Sequence, residues 1–458
     1  MYQLDFNKPC HVYFCGIGGI SMSGLAEILL SRGFKVSGSD MKESELTKIL
    51  AEKGAEIHIG QRAENVTSDT DLFVYTAAIG KDNPEWIAKE DLNLSSLSRA
   101  ELLGQIMKNF KLPIAVSGTH GKTTTTSMIT EILVHADTDP TVSVGGMLKS
   151  IGGNLRIGHS DYFLTEACEY TNSFLSFFPK IAIILNIEED HMDFFKDIED
   201  IRSSFKRFAG LLPEDGTLII NGEIDRLDEM VSGLSCKYVT YGMNDSFDYY
   251  ATDISYDEFA HPSYTLHGKN GERRIDLKVP GIHNVYNSMA AIAFTDIAGI
   301  DSDTAASALE GFTGTDRRFE KKGEIGGVTI IDDYAHHPTE IKATLTAAQN
   351  YPHKTLWCVF QPHTYTRTKA FLTDFAKALS LADKIVLADI YAAREKNTIG
   401  ISSLDLKKEI EKEGKECYYF PTFDEIENFL LENCSQSDLL ITMGAGDIVK
   451  VGESLLGK

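Results

Sequence analysis

From Ser117 to Thr126 the chain reads Ser-Gly-Thr-His-Gly-Lys-Thr-Thr-Thr-Thr, residue types whose order suits the phosphates of a nucleotide. A glycine turn between a strand and a helix points backbone N–H groups and the positive helix end at an anion, and Lys122 adds a point charge. Thr123, a hydroxyl directly after the lysine, is what Mg2+ takes as a ligand beside nucleotide phosphates. Only Thr119 and His120 separate Gly118 from Gly121, so the loop is shorter than the usual one, which has four intervening residues. The apolar run Leu112-Pro-Ile-Ala-Val116 reads as a buried strand before the loop, and Thr124 to Val134 as a helix after it. This order predicts binding of ATP or GTP.

Other residues carry chemistry in the same way. Gly16-Ile-Gly-Gly19-Ile-Ser21 follows a first strand, and Asp40 ends a second one about twenty residues on, the layout of a dinucleotide fingerprint. Ser21 stands where its third glycine belongs, so the signal fits a phosphate-bearing ligand without saying which. Glu166 ends the run Tyr162-Phe-Leu-Thr165, and His191 follows Ile181 to Leu185. Such residues converge on the carboxyl edge of a parallel sheet, where a metal or water-orienting role is open to them beside a phosphate loop. Asn284 reads either as a helix cap or, with His283, as a grip on adenine. Arg317-Arg318 is either a solvated linker pair or a source of an arginine that reaches a γ-phosphate. Asp332-Asp-Tyr-Ala-His-His-Pro338 sits at a strand end where open α/β sheets bind ligands. Its consecutive histidines have the wrong spacing for a HExxH zinc site, which argues against structural zinc.

The elements that must position these groups alternate. Strand patterns at 11–15, 34–38 and 71–75 interleave with helical ones at 21–32 and 46–53, a βαβ series that implies a parallel sheet. A second block holds strands at 162–165, 181–185 and 217–220, short antiparallel strands between Tyr238 and Val279, and a helix from Val285 to Ile297. A third carries strands at 328–331, 356–360, 384–387 and 439–442, with helices at 339–349 and 368–379. Boundaries are expected at Met107–Lys111 and Gly311–Gly314.

The 458 residues suggest about three domains. A net charge of −23 repels nucleic acid and anionic membranes, so a polyanionic ligand needs local donors. The seven cysteines form no CxxC pair and fit reduced thiols in a cytosol. With no apolar leader and no run near the ~18 apolar residues of a membrane span, a cytoplasmic protein is expected, without nucleic-acid partners or membrane insertion.

In order, Ser117–Thr124, Glu166, His191, His283-Asn284 with Asn287, Arg317 and Asp333-Tyr-Ala-His336 resemble the peptidoglycan Mur ligases, and the resemblance covers the whole chain. The alanine-adding branch is the most similar, on Gly16-Ile-Gly-Gly19 with Met22-Ser-Gly24, Arg99-Ala-Glu101, Gln361-Pro-His363 with Tyr365-Thr-Arg-Thr368, Ala393-Arg-Glu395 and Met443-Gly-Ala-Gly-Asp447. Two positions depart from the family pattern: Cys168 replaces an aspartate in Glu166-Ala-Cys-Glu169, and Thr364 replaces a frequent arginine.

The resemblance implies an α/β protein of three domains. Residues 1–108 would form a Rossmann-like domain binding UDP-N-acetylmuramate through Gly16, Gly18, Gly19, Ser21, Asp40, Thr76 and Arg99. Residues 109–312 would form a mostly parallel P-loop domain with a small appended antiparallel sheet. There ATP would meet Gly118, Thr119, His120, Gly121, Lys122, Thr123, Thr124, His283, Asn284 and Asn287, joined by Arg317 and Asp333. Residues 313–458 would form a second Rossmann-like domain binding L-alanine through Tyr334, His336 and Arg367. Lys122, His191 and Arg317 would be catalytic, with Thr123, Glu166 and His191 on Mg2+. The implied reaction is ATP-dependent amide formation on the lactyl carboxylate through an acyl phosphate. The alternatives are a peptide-adding recycling ligase of the family and, more distantly, an NAD-dependent oxidoreductase.

Overall fold

Five runs in the first hundred residues pair in parallel, in the order Glu56–Ile59, Lys35–Asp40, His11–Cys15, Leu72–Tyr75, Ser95–Ser98. His11–Cys15 is buried along its whole length, as expected of a central strand covered on both faces. The computed structural model describes residues 2–393 and 395–458. Helix Ile20–Ser31 follows the first glycine loop, and Asp40 ends the neighbouring strand.

A ten-stranded central sheet follows. Its middle is parallel, and its register sets the geometry of the chemistry. Strand Leu112–Ser117 lies between Tyr162–Glu166 and Ile181–Ile184, with Val116 opposite Glu166 and Ser117 opposite Ile184. The loop after Ser117, the carboxylate of Glu166 and the segment leading to His191 therefore all leave the sheet at one edge. The antiparallel strands Pro262–Gly268 and Gly271–Asp276 extend this sheet continuously beyond Tyr249–Tyr256, and an antiparallel pair, Thr141–Leu148 with Gly153–Arg156, ends its other side.

The third sheet runs Glu320–Ile325, Val328–Asp333, Leu439–Met443, Leu356–Phe360, Lys384–Leu387, Glu416–Tyr419, parallel except for its first strand. Asp333, Met443 and Phe360 are register partners, so the Asp333–Pro338 and Gly444–Asp447 loops leave one edge together. The helix expected at 368–379 is two helices, Tyr365–Ala370 and Leu372–Leu379, parted at Phe371 with φ −109° and ψ 25°.

The first two sheets share apolar packing: Phe110 meets Phe163 with ring centroids 5.0 Å apart. At Gly104 in helix Arg99–Met107, a Cβ would lie 1.9 Å from the Ser176 carbonyl oxygen, so glycine permits the close approach of the two blocks. Among the described residues no helix is long and apolar enough to cross a membrane.

Candidate active site

The glycines of the second loop are there for conformation. Gly118 has φ 147° and Gly121 φ 83°, and a Cβ on Gly118 would lie 2.9 Å from the Leu185 Cβ. Asn186 fixes the loop by accepting from the His120 N–H at 2.8 Å. Helix Lys122–His135 starts on Gly121 without a side-chain cap, so its first N–H groups remain free for an anion. Lys122 Nζ donates to the carbonyls of Gly118 and Thr119 and to Glu169 Oε2 at 3.0 Å. Burial opposes the charge, but Glu169 outweighs it and lifts the ammonium above its ordinary pKa.

Thr123 Oγ1 donates to Glu166 Oε2 at 3.1 Å, and the Gly145 N–H donates to the other oxygen. Burial raises the Glu166 pKa against the pull of Gly145 and Lys122. A Cβ on Gly145 would lie 2.7 Å from Glu166 Oε2, so the strand is bare where the carboxylate turns in. A hydroxyl and a carboxylate side by side next to a phosphate loop fit a hard divalent cation such as Mg2+. His191, in the left-handed region at φ 53°, stacks on Tyr170 with ring centroids 4.5 Å apart. Its Nε2 lies 3.8 Å from Glu169 Oε1 and 3.7 Å from Asp190 Oδ2. Burial holds its pKa below the ordinary value, leaving a neutral ring able to ligate. Lys122, Thr123, Glu166 and His191 thus come together, with Glu169 among them.

Charged pairs cross from the central block to the C-terminal one. Arg367 donates through Nε and Nη2 to Asp190 Oδ1 at 3.1 and 2.9 Å, while Nη1 lies 3.1 Å from His363 Nδ1. Burial alone would raise the Asp190 pKa, yet Arg367 holds it well below the carboxylate range. Arg367, expected on the amino acid, spans the junction here. His120 Nδ1 meets Glu340 Oε1 at 3.2 Å and Nε2 lies 3.5 Å from Glu188 Oε2. Burial disfavours its charge, but the two carboxylates win and push its pKa up to about 9. His336 is the opposite case: burial pushes it down to about 4, and its Nδ1 lies 3.0 Å from the Tyr334 carbonyl.

Between these blocks lies a cavity of about 510 Å³, a size that suits a nucleotide. His120, Gly121, Thr124, Asn221, Tyr241 and Tyr286 line it, with His283, Asn284 and Asn287, and Arg318, Asp333 and Glu340 join them from the C-terminal block. His283 is half-buried, its pKa pushed down to about 4 by desolvation, with Nδ1 unpartnered. Asn284 donates to the Pro280 carbonyl at 2.8 Å and accepts from Asn287 at 3.0 Å. Asp333 accepts from the N–H groups of Phe319 and Ala335 and is raised to about 6 by burial.

Arg317 does not face the cavity here. Its guanidinium is spent inside the C-terminal block, on buried Asp332 at 3.0 Å and on the carbonyls of Gly446 and Gly444 at 3.0 and 2.7 Å. It is absent from the cavity wall, which Arg318 joins. Both guanidinium groups lie over the Tyr334 ring, so Tyr334 also belongs to this arginine stack. Sequence reasoning missed Arg318, Glu169, Glu188, Asp190 and Glu340 as site residues, although Arg318 stood in the quoted arginine pair and Glu169 in the Glu166–Glu169 run.

At the first loop, Gly16 has φ 88° and Gly18 N–H donates to Asp40 Oδ2 at 2.9 Å. A Cβ on Gly16 would lie 3.2 Å from the Thr76 methyl, so Gly16, Gly18, Asp40 and Thr76 form one cluster. Gly19 and Ser21 are exposed at the helix start. Arg99 lies on a different helix, its pKa lowered by burial and raised by Cys168 of the central block. Of Ala393-Arg-Glu395, Arg394 lies outside the described residues, and Glu395 accepts from the N–H groups of Tyr365 and Thr366.

Three family models match: Mur ligase family, catalytic domain, over residues 11–111; Mur ligase middle domain over 116–295; and Mur ligase, glutamate ligase domain, over 317–446. The chain is similar to the UDP-N-acetylmuramate--L-alanine ligase of Agathobacter rectalis, at 60% identity over 100% of both chains. It is 50% identical to the enzyme of that name from Caldanaerobacter subterraneus subsp. tengcongensis, over 99% of each. Among solved structures, UDP-N-acetylmuramate-alanine ligase from Thermotoga maritima matches with a TM-score of 0.79 at 31% identity over 98% of both chains. A murein peptide ligase from Psychrobacter arcticus matches at 0.69 and 25%, again over 98% of both.

Proposed function

Since the chain belongs to the Mur ligase family, we propose that it joins L-alanine to the lactyl carboxylate of UDP-N-acetylmuramate at the expense of ATP. The reaction is a step in making peptidoglycan precursors, and we place it in the cytoplasm. The observation that carries this reading is the convergence of Lys122, Thr123, Glu166, Glu169 and His191 at the sheet edge facing the C-terminal block.

A carboxylate is a poor electrophile at neutral pH. Transfer of the γ-phosphoryl group to its oxygen gives an acyl phosphate and ADP. The alanine amine attacks the carbonyl carbon, and the tetrahedral adduct expels phosphate to leave the amide. The protein supplies positioning and charge, since phosphoryl transfer needs little covalent help. Lys122 exchanges Glu169 for the β- and γ-phosphates, and the free N–H groups behind Gly121 hold the same phosphates. Arg318 faces the transferring group from the C-terminal side. Asn284, Asn287 and neutral His283 take the base. Thr123 and Glu166 would hold Mg2+, with His191 donating to a second ion, and the metal would neutralise charge on the phosphates. The first loop, with Asp40 and Thr76, takes the UDP moiety. Arg99 and the C-terminal residues Tyr334 and His336 take the remaining sugar and amino-acid groups. The segments 107–111 and 311–314 act as hinges.

Phosphate release from ATP, measured with UDP-N-acetylmuramate and each amino acid in turn, tests this reading. Release that requires both the sugar nucleotide and alanine supports it. Release that needs neither, or no release at all, rejects it.

A further inference from the structure

We propose that His120, Glu188 and His337 form a further cation site, selective for a borderline divalent transition ion such as Zn2+, which fastens the C-terminal block to the phosphate loop. One donor atom from each residue lies within 4.8 Å of the other two. His120 Nε2 and Glu188 Oε2 are 3.5 Å apart, close to the ligand-to-ligand edge of roughly 3.4 Å in a tetrahedron of 2.0–2.1 Å bonds. The imidazoles of His120 and His337 have centroids 4.8 Å apart.

The donors are poised. His337 is only 4% exposed, and its Nε2 is buried without a hydrogen-bond partner. Such an orphaned nitrogen calls for an explanation in a native structure. His120 Nε2 faces the Glu188 carboxylate, the third donor, across 3.5 Å. His120 Nδ1 faces Glu340 Oε1 at 3.2 Å, the carboxylate–imidazole pairing that orients a metal-binding histidine from behind. Glu188 is held by the Thr339 hydroxyl at 2.7 Å. His337 Nδ1 accepts from the Thr339 N–H at 3.4 Å. Binding at Nε2 moves the ring proton to Nδ1 and gives up only that long bond.

Two imidazoles and one carboxylate are a ligand set for zinc-like ions, whereas Thr123 with Glu166 offers oxygen alone and suits Mg2+. Water would complete the coordination, since His120 and Glu188 also line the cavity. Residues 120 and 188 belong to the central block and 337 to the C-terminal one, so the ion ties the two together. The long separations in sequence explain why the spacing of His336 and His337 shows no zinc motif. The site does not depend on which sugar nucleotide or amino acid the enzyme takes.

The test is equilibrium dialysis of the full chain against micromolar Zn2+ with millimolar Mg2+ present, paired with visible absorption of the Co2+ form. One tightly held Zn2+ per chain and a tetrahedral Co2+ spectrum are expected. His337→Ala and Glu188→Gln should each weaken binding at least tenfold, while Glu166→Gln should leave it unchanged. Circular dichroism confirms that each variant is folded, and His337→Cys, which keeps a donor at the position, should retain the ion. No binding by the wild type, unweakened binding in both His337→Ala and Glu188→Gln, or thiolate-to-cobalt charge transfer in the wild type would each overturn the proposal.

Discussion

The loops at 16–19 and 118–121 share a plan, a buried parallel strand ending in glycines ahead of a helix, yet they are equipped for different tasks. In the first, the Gly18 N–H is taken by Asp40, and no lysine opens the helix. In the second, the helix opens with Lys122, and Glu169 lies against its ammonium. A carboxylate beside a loop amide is an acceptor for ligand hydroxyls, as the acidic residue after the second strand is in dinucleotide sites. A lysine that can trade one carboxylate for a phosphate is suited to charge that moves during reaction. The shared backbone plan says that phosphates bind; the side chains around it separate holding from chemistry.

The hardest test of that contrast is Lys122→Ala. Turnover should fall by about 10³-fold or more, roughly 4 kcal/mol of transition-state stabilisation. Binding of UDP-N-acetylmuramate, followed by calorimetry, should stay within about twofold, because the two loops lie on different sheets. A large loss of sugar-nucleotide affinity would merge the two loops into one site.

The adjacent arginines extend the contrast between holding and chemistry into the C-terminal block. Arg318→Ala, which empties part of the cavity wall, should lower kcat by about 10²–10³-fold with the thermal midpoint near that of the wild type. Arg317→Ala should act on stability instead. It leaves Asp332, fully buried, without its cation, a change that costs about 3 kcal/mol or more. Calorimetric melting should show the loss in Arg317→Ala and not in Arg318→Ala; the reverse pattern would exchange their roles.

Why the sequence pointed to Arg317 and the fold to Arg318 illustrates what a chain makes legible. Periodicity and glycine punctuation located the strands that end at Cys15, Ser117, Glu166 and Asp333, and within each sheet parallel register then sets neighbouring strand ends at one edge, Ser117 beside Glu166 and Asp333 beside Met443. The direction of one side chain in Arg317-Arg318 depends on Arg317 having φ 61°, and no local pattern announces that. Likewise Glu340 meets His120 only once two blocks dock, and Glu188 reaches it from a distant loop of the central block. The edge strand Glu320–Ile325, with lysines and a glycine in place of an apolar run, escaped for a different reason: it covers one side of a sheet and buries little. The helix written as 368–379 broke at Phe371, which no glycine or proline marks.

The His120 bridge should show itself in the pH dependence of stability. With the imidazole raised to about 9 in the folded chain against about 6.5 unfolded, its contribution is full below pH 6.5 and is lost as pH rises through 9. Across pH 6.5–8.5 the unliganded wild type should lose stability relative to His120→Gln by on the order of 1–3 kcal/mol. Glu188 and Glu340, whose pKa values are lowered, stay ionised throughout this window and add no slope. Urea unfolding of both proteins at several pH values measures the difference, and parallel curves would mean that His120 carries no extra proton.

The smallest effect belongs to the first loop. Asp40→Asn keeps an acceptor for the Gly18 N–H but removes the charge. A hydrogen bond to a charged group is worth about 1 kcal/mol more than one to a neutral group, which corresponds to about a fivefold rise in KM for UDP-N-acetylmuramate. On the proposed assignment of this loop to the UDP moiety, kcat should be unchanged, and KM for ATP with it. Steady-state kinetics with each substrate varied in turn separate the outcomes. A parallel fall in kcat would mean that the first loop also shapes the reacting geometry. Recovery of bound nicotinamide dinucleotide from the purified wild-type chain would remove the basis for comparing the loops as UDP and ATP sites, since a glycine loop with an acidic residue after the second strand is also how such a dinucleotide is held.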